Sequence, residues 1–217
     1  MFEKIPHPGP AIGFPKDASE WRDAPAKFSD ESLEILGHPV MEAWEEPYMR
    51  ELAKIATSNG GTILEVGFGM GISAKYIQQH EIEEHIIIEA NSDVFANLEE
   101  FAGKAKRKVT PLFGFWQDVV ESLPSEGFDG ILFDTYPIIE DEMRKAHFAF
   151  FKHAYRLLKK GGVFTYYDSE IELMPLERQL LNEAGFLNVS GALCQVNPPS
   201  SCLYWNYNSI LAPIIVK

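Results

Sequence analysis

From residue 62 onward, short apolar runs alternate with amphipathic segments, and this alternation constrains the fold more than any other feature. The apolar runs have the length of buried strands and read TILEV, HIIIE, KVTPLF, DGILFD and VFTYY. The segments between them predict helices over 72–80, 92–105, 118–123 and 142–159. Gly161 and Gly162 should end the helix predicted over 142–159. Alternating strands and helices predict a parallel sheet with helices on both faces, which is the α/β class.

The C-terminal part of the chain leaves this alternation. A helix predicted over 172–184 is followed by LNVSGALCQV and CLYWNYNSILAPIIVK, with no helix pattern between them. We therefore expect an antiparallel finish at one edge of the sheet. The sequence has no internal repeat and no linker, which favours a single domain over residues 1–217.

The first 57 residues have a different character from the core predicted over 58–217. Residues 1–30 are rich in Pro, Gly, Asp and Ala and predict an irregular arm. In VMEAWEEPYMRELAKIA the apolar residues recur every three or four positions, which predicts a helix over 40–56. Pro47 should kink or break this helix. We expect the arm and the helix to cover a site in the core as a lid.

The charge balance argues against several classes of partner. The 217 residues include 19 basic and 32 acidic side chains, for a net charge of −13, whereas nucleic acids and anionic membranes attract a basic face. No apolar stretch approaches the length of a membrane span, and the N-terminus lacks a signal-peptide core. The two cysteines read as free thiols, and the histidines lack metal-ligand spacing. We expect a cytoplasmic protein without a metal, nucleic-acid or membrane partner.

The segment LEVGFGMGIS joins the first predicted strand to a helix. Gly67, Gly69 and Gly71 let the backbone turn sharply and let a ligand approach it. Glu89 ends the next strand, where an acid can accept hydrogen bonds from a ribose diol. Glycine at every second position differs from the G-x-G-x-x-G of dinucleotide-binding folds. With Glu65 before it, the loop resembles the first motif of Rossmann-like methyltransferases that use S-adenosylmethionine (SAM).

Two further strand ends carry candidate site residues. In GFWQD, Trp116 could form a wall for adenine while Gln117 or Asp118 bonds its amine; alternatively, Trp116 is core and Asp118 caps a short helix. In ILFDTYP, Asp134 ends an apolar run just before Pro137. Asp134 could cap a helix, shape a turn or meet a ligand, and the carboxyl end of a parallel strand favours a ligand.

Several longer segments resemble the guanidinoacetate N-methyltransferase family over nearly the whole chain. They read EWRDAPAKF, ILGHPVMEAWEEPYM, GGTILEVGFGMGIS, IEEHIIIEAN, FDGILFDTYP, HAYRLLKKGGVFTY and LAPIIVK. The resemblance implies a Rossmann-like class I methyltransferase with a mostly parallel seven-stranded sheet and an antiparallel C-terminal edge. It implies SAM as cofactor, S-adenosylhomocysteine (SAH) as product and a small guanidino compound as substrate.

The resemblance also implies which residues form the site. The cofactor would contact Trp21, Met49, Phe68, Gly69, Met70, Gly71, Ile72, Ser73, Glu89, Ala90, Asn91, Trp116 and Gln117. Met41, Glu45 and Asp134 would hold the guanidinium, which carboxylates bind strongly through paired hydrogen bonds. Asp134 would orient the reacting nitrogen and accept its proton. Without the resemblance, Glu45 would instead be interpreted as a solvent-exposed acid on a helix.

The segment YYDSEIELMPL departs from the family where the substrate tail is expected. By the resemblance, Asp168, Ser169 and Glu170 occupy the positions that match the family's contacts to the substrate tail, and Ser169 and Glu170 would bind the substrate. Acids facing the tail would repel a carboxylate, which predicts a neutral, polar or cationic tail. Alternatives are a methyltransferase for arginine side chains in proteins, a SAM-binding module without catalysis and a nicotinamide-dependent oxidoreductase. We expect a monomer or a homodimer.

Overall fold

The computed structural model describes residues 13–139 and 145–217, and its centre is a seven-stranded sheet. In chain order the strands are β4 (Thr62–Val66), β5 (Glu84–Glu89), β6 (Lys108–Phe113), β7 (Phe128–Phe133), β8 (Leu158–Tyr166), β9 (Asn188–Gln195) and β10 (Ser209–Val216). Their spatial order is β6-β5-β4-β7-β8-β10-β9. The strands from β6 to β8 are parallel, and β10 is antiparallel to both β8 and β9. The predicted α/β fold with an antiparallel C-terminal edge is confirmed.

Helices cover both faces of the sheet, because successive strand residues point to opposite sides. The helices are α2 (Glu46–Ala56), α3 (Ile72–Ile77), α4 (Ser92–Lys104), α5 (Trp116–Val119), α6 (Phe151–Leu157) and α7 (Pro175–Ala184). Ile63 packs in one core with Leu52 of α2, while its neighbour Leu64 packs in the other with Ala154 of α6. In the described residues, no helix is long and apolar enough to cross a membrane.

The chain before α2 is more regular than the sequence predicts. A helix α1 (Ala18–Asp23) precedes an antiparallel sheet of β1 (Ala26–Phe28), β2 (Ser32–Ile35) and β3 (His38–Glu42). Leu36 and Gly37 both have positive φ and join β2 to β3 in a tight hairpin. The prediction of an irregular arm over 1–30 is therefore wrong within its described part, and residues 1–12 lie outside the described residues.

The helix predicted over 40–56 is also shorter than expected. Residues 40 and 41 belong to β3, a single 3₁₀ turn covers Ala43–Glu45, and α2 begins only at Glu46. Pro47 lies in the first turn of α2, where its missing N–H removes no helical hydrogen bond, so it starts the helix instead of kinking it. The 3₁₀ turn holds Glu45 at the junction between the small sheet and α2.

The helix predicted over 142–159 begins later and ends earlier. A 3₁₀ turn, Ala146–Phe150, leads into α6, and β8 starts directly after it at Leu158. Residues 142–144 of the prediction lie outside the described residues. Gly161 and Gly162 therefore lie inside β8 and not at a helix end. They belong to a bulge in β8. Phe128 of β7 pairs with Leu158 and Gly130 pairs with Val163, so β8 has more residues than β7 between these two pairs.

Candidate active site

Two clefts open at the carboxyl ends of the parallel strands. The first has a volume of about 840 Å³ and is bordered by residues that follow three strands, among them Gly67 after β4, Glu89 at the end of β5 and Trp116 after β6. Open α/β sheets bind ligands at this edge.

The glycine loop between β4 and α3 forms the floor of this first cleft. Gly67, Gly69 and Gly71 all have positive φ, of 95°, 54° and 69°. A Cβ at Gly67 would lie 1.9 Å from the carbonyl oxygen of Asp134, and a Cβ at Gly69 would lie 3.1 Å from the Met41 sulfur. The loop thus needs glycine at position 67 to approach the end of β7. Side chains at these glycine positions would fill the space along the loop that a ligand could occupy.

Glu89 fixes the edge of the first cleft where a ribose diol is predicted to bind. Its Oε1 accepts the amides of Ala90 and Asn91, each at 2.8 Å, and its Oε2 accepts the amide of Phe68 at 3.0 Å. Burial raises the pKa of Glu89, while these backbone bonds oppose the rise. The carboxylate ties the glycine loop to β5 and also borders the cleft.

Trp116 both packs in the core and borders the first cleft. Its ring packs edge-on against Phe133 and Phe150, with centroid distances of 5.9 and 5.3 Å, and it also lines the first cleft together with Gln117. Asp118 is exposed, and it lies within α5 beyond the N-cap, which is Phe115. Asp118 therefore neither lines the cleft nor caps the helix.

Trp21 and Ala90 also line this cleft, but a group of the predicted cofactor residues does not: Met49, Phe68, Met70, Gly71, Ile72, Ser73 and Asn91. Met49 of α2 is fully buried in the core, and its predicted contact with the cofactor stays a prediction. The Ser73 hydroxyl donates a short hydrogen bond to Glu65. The Asn91 amide donates to the carbonyls of Trp21 and Ala24, at 2.9 Å each. These last two residues organise the cleft without lining it.

The N-terminal arm contacts the border of the first cleft through aromatic side chains. The Trp21 ring stacks on Tyr136, with centroids 5.4 Å apart and planes within 6°. His38 Nδ1 lies 3.1 Å from the Tyr136 hydroxyl, and its Nε2 lies 3.3 Å from the carbonyl oxygen of Gly13. Tyr136 follows Asp134 by two residues, so the arm contacts the segment that carries the candidate catalytic acid.

The second cleft adjoins the first and has a volume of about 1010 Å³. The two share Val40, the segment from Asp134 to Pro137, and Ala146. Glu45, Tyr167, Ser169 and Tyr204 line only the second cleft. Met41 lines only the first, so it lies on a different cleft from Glu45, and its predicted contact with the substrate stays a prediction. Asp134 stands at the junction of the two.

Glu45 and Asp134 are desolvated acids on the same cleft. Burial raises the pKa of Glu45 to about 7, although hydrogen bonds from Tyr204, from the Glu42 amide and from Tyr167 oppose the rise. Burial also raises the pKa of Asp134 well above its ordinary value, and the charges of Glu45 and Glu65 add to this. A cation bound between the two acids would compensate both charges. Among the described residues, no cluster suited to a metal ion accompanies them.

The segment predicted to contact the substrate tail borders the second cleft only in part. Ser169 lines the second cleft, but Asp168 and Glu170 do not. Asp168 is only 2% exposed, and burial, followed by the charges of Glu177 and Glu170, raises its pKa to about 8. Among the described residues, Lys145 contributes a cationic side chain to this cleft. The argument against a carboxylate tail assumed that two acids face this cleft, and the lining does not support that assumption. The contact of Glu170 with the substrate stays a prediction.

Comparison with known proteins gives results that agree with this geometry. The family described as guanidinoacetate N-methyltransferase matches residues 15–217. Protein arginine N-methyltransferase 2 of Yarrowia lipolytica is 36% identical over 137 residues, which cover 59% of this chain and 28% of that protein. The Aspergillus oryzae protein of the same name is 32% identical over 166 residues, covering 75% of this chain and 38% of that protein. The chain thus spans about a third of the length of these relatives.

Solved structures support the fold. Spermidine synthase from Thermotoga maritima superimposes with a TM-score of 0.65 at 16% identity, covering 90% of this chain and 72% of that chain. An O-methyltransferase from Bacillus cereus in complex with SAH gives a TM-score of 0.55 at 17% identity, covering 81% of each chain. At these identities the likeness concerns the Rossmann-like architecture alone.

Proposed function

Since the chain belongs to the guanidinoacetate N-methyltransferase family, we propose that it methylates a guanidino nitrogen of a small molecule. Membership makes the chain a SAM-dependent methyltransferase, with SAH as the product. The observation that carries the choice of acceptor is the pair of buried acids, Glu45 and Asp134, on a cleft that joins the cofactor cleft.

The acid pair suits a guanidinium because that group is a planar cation with a fork of N–H donors. Carboxylates bind it through charge-assisted hydrogen bonds, which are roughly twice as strong as neutral ones. Glu45 comes from the turn before α2 and Asp134 from the end of β7, so the two acids can contact different edges of one plane. A neutral acceptor would leave two desolvated carboxylates without a counter-charge.

The residues of the first cleft fit the adenosine and the methionine part of SAM. The glycine loop offers a cradle without side chains, Glu89 offers a carboxylate for the ribose diol, and Trp116 with Gln117 offers a face and an amide for adenine. When bound there, SAM supplies an electrophilic methyl group. Asp134 lies on this cleft and on the second one, which supports a transfer across their junction.

In the proposed step, Asp134 aims the reacting nitrogen and receives its proton. The nitrogen lone pair forms the new N–C bond, the electron pair of the broken S–C bond stays on sulfur, and the N–H proton passes to a carboxylate oxygen of Asp134. The methylated guanidinium keeps its charge, so the one positive charge lost from sulfur is balanced by neutralising Asp134. Positioning is expected to supply much of the rate, because the delocalised nitrogen is a poor nucleophile.

We also propose that residues 1–57 act as a lid on a core formed by residues 58–217. The stacking of Trp21 on Tyr136 and the hydrogen bonds of Asn91 to the arm support this assignment. A closed arm excludes water from the reacting groups and strengthens the electrostatic interactions within the site.

A second candidate acceptor is an arginine side chain in a protein. It is supported by the relatives named protein arginine N-methyltransferase 2, which share up to 36% identity with part of this chain. An arginine side chain presents the same guanidinium, so the acid pair serves both acceptors. The two acceptors differ in the part attached to the guanidinium, which the rest of the second cleft must accommodate.

The deciding experiment is a panel of acceptors with isotopically labelled SAM, read by mass spectrometry. The panel should contain guanidinoacetate, agmatine, a neutral alkylguanidine and an arginine peptide, so that the tail is anionic, cationic, neutral or polymeric. We expect a small guanidino compound to give a higher kcat/KM than the peptide. Turnover of the peptide alone would favour the second candidate, and SAM binding without turnover of any acceptor would indicate a binding module.

A further inference from the structure

The Glu45 carboxylate is held by donors from three separate parts of the chain. The Tyr204 hydroxyl donates to Oε1 at 2.7 Å, and the Glu42 amide donates to the same oxygen at 2.9 Å. Tyr167 forms a further side-chain hydrogen bond with Glu45. Glu42 ends β3, Tyr167 follows β8, and Tyr204 lies between β9 and β10. A carboxylate held from several elements has one fixed orientation.

Tyr204 is itself fixed and stays a hydrogen-bond donor. Its ring packs against Trp44 with centroids 5.8 Å apart, and the Trp44 indole donates to Glu42 Oε2 at 2.6 Å. Burial raises the pKa of Tyr204 far above its ordinary range, and the charge of Glu45 raises it further. The hydroxyl therefore remains protonated across the pH range in which an enzyme works, and it lines the second cleft beside Glu45.

Within the part of the chain that the structure describes, Asp134 has no comparable support. Its pKa is raised by burial and by the charges of Glu45 and Glu65, and no hydrogen bond from the described residues opposes the rise. A carboxylate without donors is a stronger proton acceptor than one that already accepts several hydrogen bonds. The two acids on the cleft thus have opposite environments, which is how paired acids acquire different roles.

We propose that Tyr204, assisted by Tyr167, is a positioning residue that holds Glu45 as the ionised anchor of the guanidinium and leaves Asp134 as the proton acceptor. The proposal rests on the proposed guanidino methyl transfer. It adds a residue from the connection between β9 and β10, about 160 positions from Glu45, to the machinery of the site.

The test is Tyr204→Phe, which removes the hydroxyl and keeps the ring. The groups that face Glu45 are Glu42, Tyr167, Tyr204 and Asp134, with Lys145 on the same cleft. Losing one donor should favour protonated Glu45. We expect KM for the acceptor to rise by about ten- to a hundredfold, as for a lost hydrogen bond to a charged group. The acidic limb of the kcat/KM profile should move to higher pH, while the Kd of SAM stays unchanged.

Tyr76→Phe is the matched control. The Tyr76 hydroxyl also donates to a glutamate, Glu46 Oε1 at 2.8 Å, and Glu46 directly follows Glu45, but neither residue lines a cleft. This variant should have the wild-type KM and pH profile. A purely structural role for Tyr204 would lower the melting temperature without moving the pH profile, and that result would overturn the proposal.

A second measurement does not depend on turnover. The pKa of the Glu45 carboxyl, followed by carbon NMR in the unliganded protein, should be higher in Tyr204→Phe than in the wild type. Tyr167→Phe should raise it in the same direction, which provides a test if Tyr204→Phe does not fold. An unchanged Glu45 pKa in the folded variants overturns the positioning role. Failure of the wild type to methylate any guanidine would instead refute the proposed function and leave this measurement valid.

Discussion

Replacing Glu45 with glutamine should stabilise the unliganded protein, and the gain should depend on pH. Glu45 is 3% exposed, and burial raises its pKa from the ordinary value of 4.5 to about 7. The folded chain therefore binds this proton more tightly than the unfolded chain does. The stability contributed by the protonated acid is fully present below pH 4.5 and is lost as the pH rises to about 7. At about 1.4 kcal/mol per pH unit, the loss is about 3 kcal/mol.

Glutamine has no proton to lose, and its amide oxygen can accept the hydrogen bonds from Tyr204 and from the Glu42 amide. The difference in the free energy of unfolding between Glu45→Gln and wild type should therefore grow by about 3 kcal/mol between pH 4.5 and pH 8. Asp168 and other buried acids titrate in both proteins, so their contributions largely cancel in the difference between the two free energies of unfolding. Asp134 adds to the gain, because the Glu45 charge no longer raises its pKa.

The assay is urea unfolding at several pH values, followed by tryptophan fluorescence. Urea is preferred to guanidinium chloride because guanidinium resembles the proposed ligand and would stabilise the folded state by binding it. Glu46→Gln is the control, since Glu46 is exposed and should show no such growth with pH. Parallel stability curves for Glu45→Gln and wild type from pH 5 to pH 8 would refute the reasoning. The same variant should bind the guanidino acceptor about ten- to a hundredfold more weakly.

Three further changes test other parts of the site. Asp134→Asn should lower kcat by about 10²- to 10⁴-fold through loss of the proton acceptor, with the Kd of SAM by calorimetry nearly unchanged; near-normal kcat would remove Asp134 from the reaction. Gly67→Ala should destabilise the fold and weaken SAM binding, because its Cβ would lie 1.9 Å from a backbone oxygen, whereas Gly103→Ala has open space and should be neutral or slightly stabilising in thermal unfolding. Trp21→Ala should raise the Kd of SAM several-fold by removing the stacking on Tyr136; an unchanged Kd would argue against a lid.

The core of the fold could be predicted because its signals are local. TILEV, HIIIE and DGILFD each carry enough apolar residues to define a buried strand, and the loop through Gly67 marks the first turn at the ligand edge. The small sheet was missed because its hairpin turn is Leu36-Gly37, whereas such turns usually carry Asn-Gly or Asp-Gly. Without that turn signal, the three- and four-residue spacing from Val40 onward reads as a helix.

The candidate site divides in the same way. Asp134 and Glu89 could be predicted because each ends a parallel strand, where the fold itself exposes a side chain to the ligand edge. Tyr204 could not, because its partner Glu45 lies 159 positions away and the segment around it has no regular period. The same limit applies to Asp168. Its position in the sequence suggests that it lies beside the substrate tail, but in the folded chain it is packed against Glu177.

The acid pair links the stability of this protein to its proposed reaction. Two desolvated carboxylates weaken the unliganded fold, and the raised pKa values of Glu45 and Asp134 express that cost. A guanidinium between them offsets the cost, so the site favours cations over neutral analogues of the same shape. If the two acids were supported equally, neither would be distinguished as the proton acceptor. Because Tyr204 and Tyr167 donate hydrogen bonds to Glu45 and, among the described residues, none is donated to the Asp134 carboxylate, we expect the pair to separate into an anchor and a base.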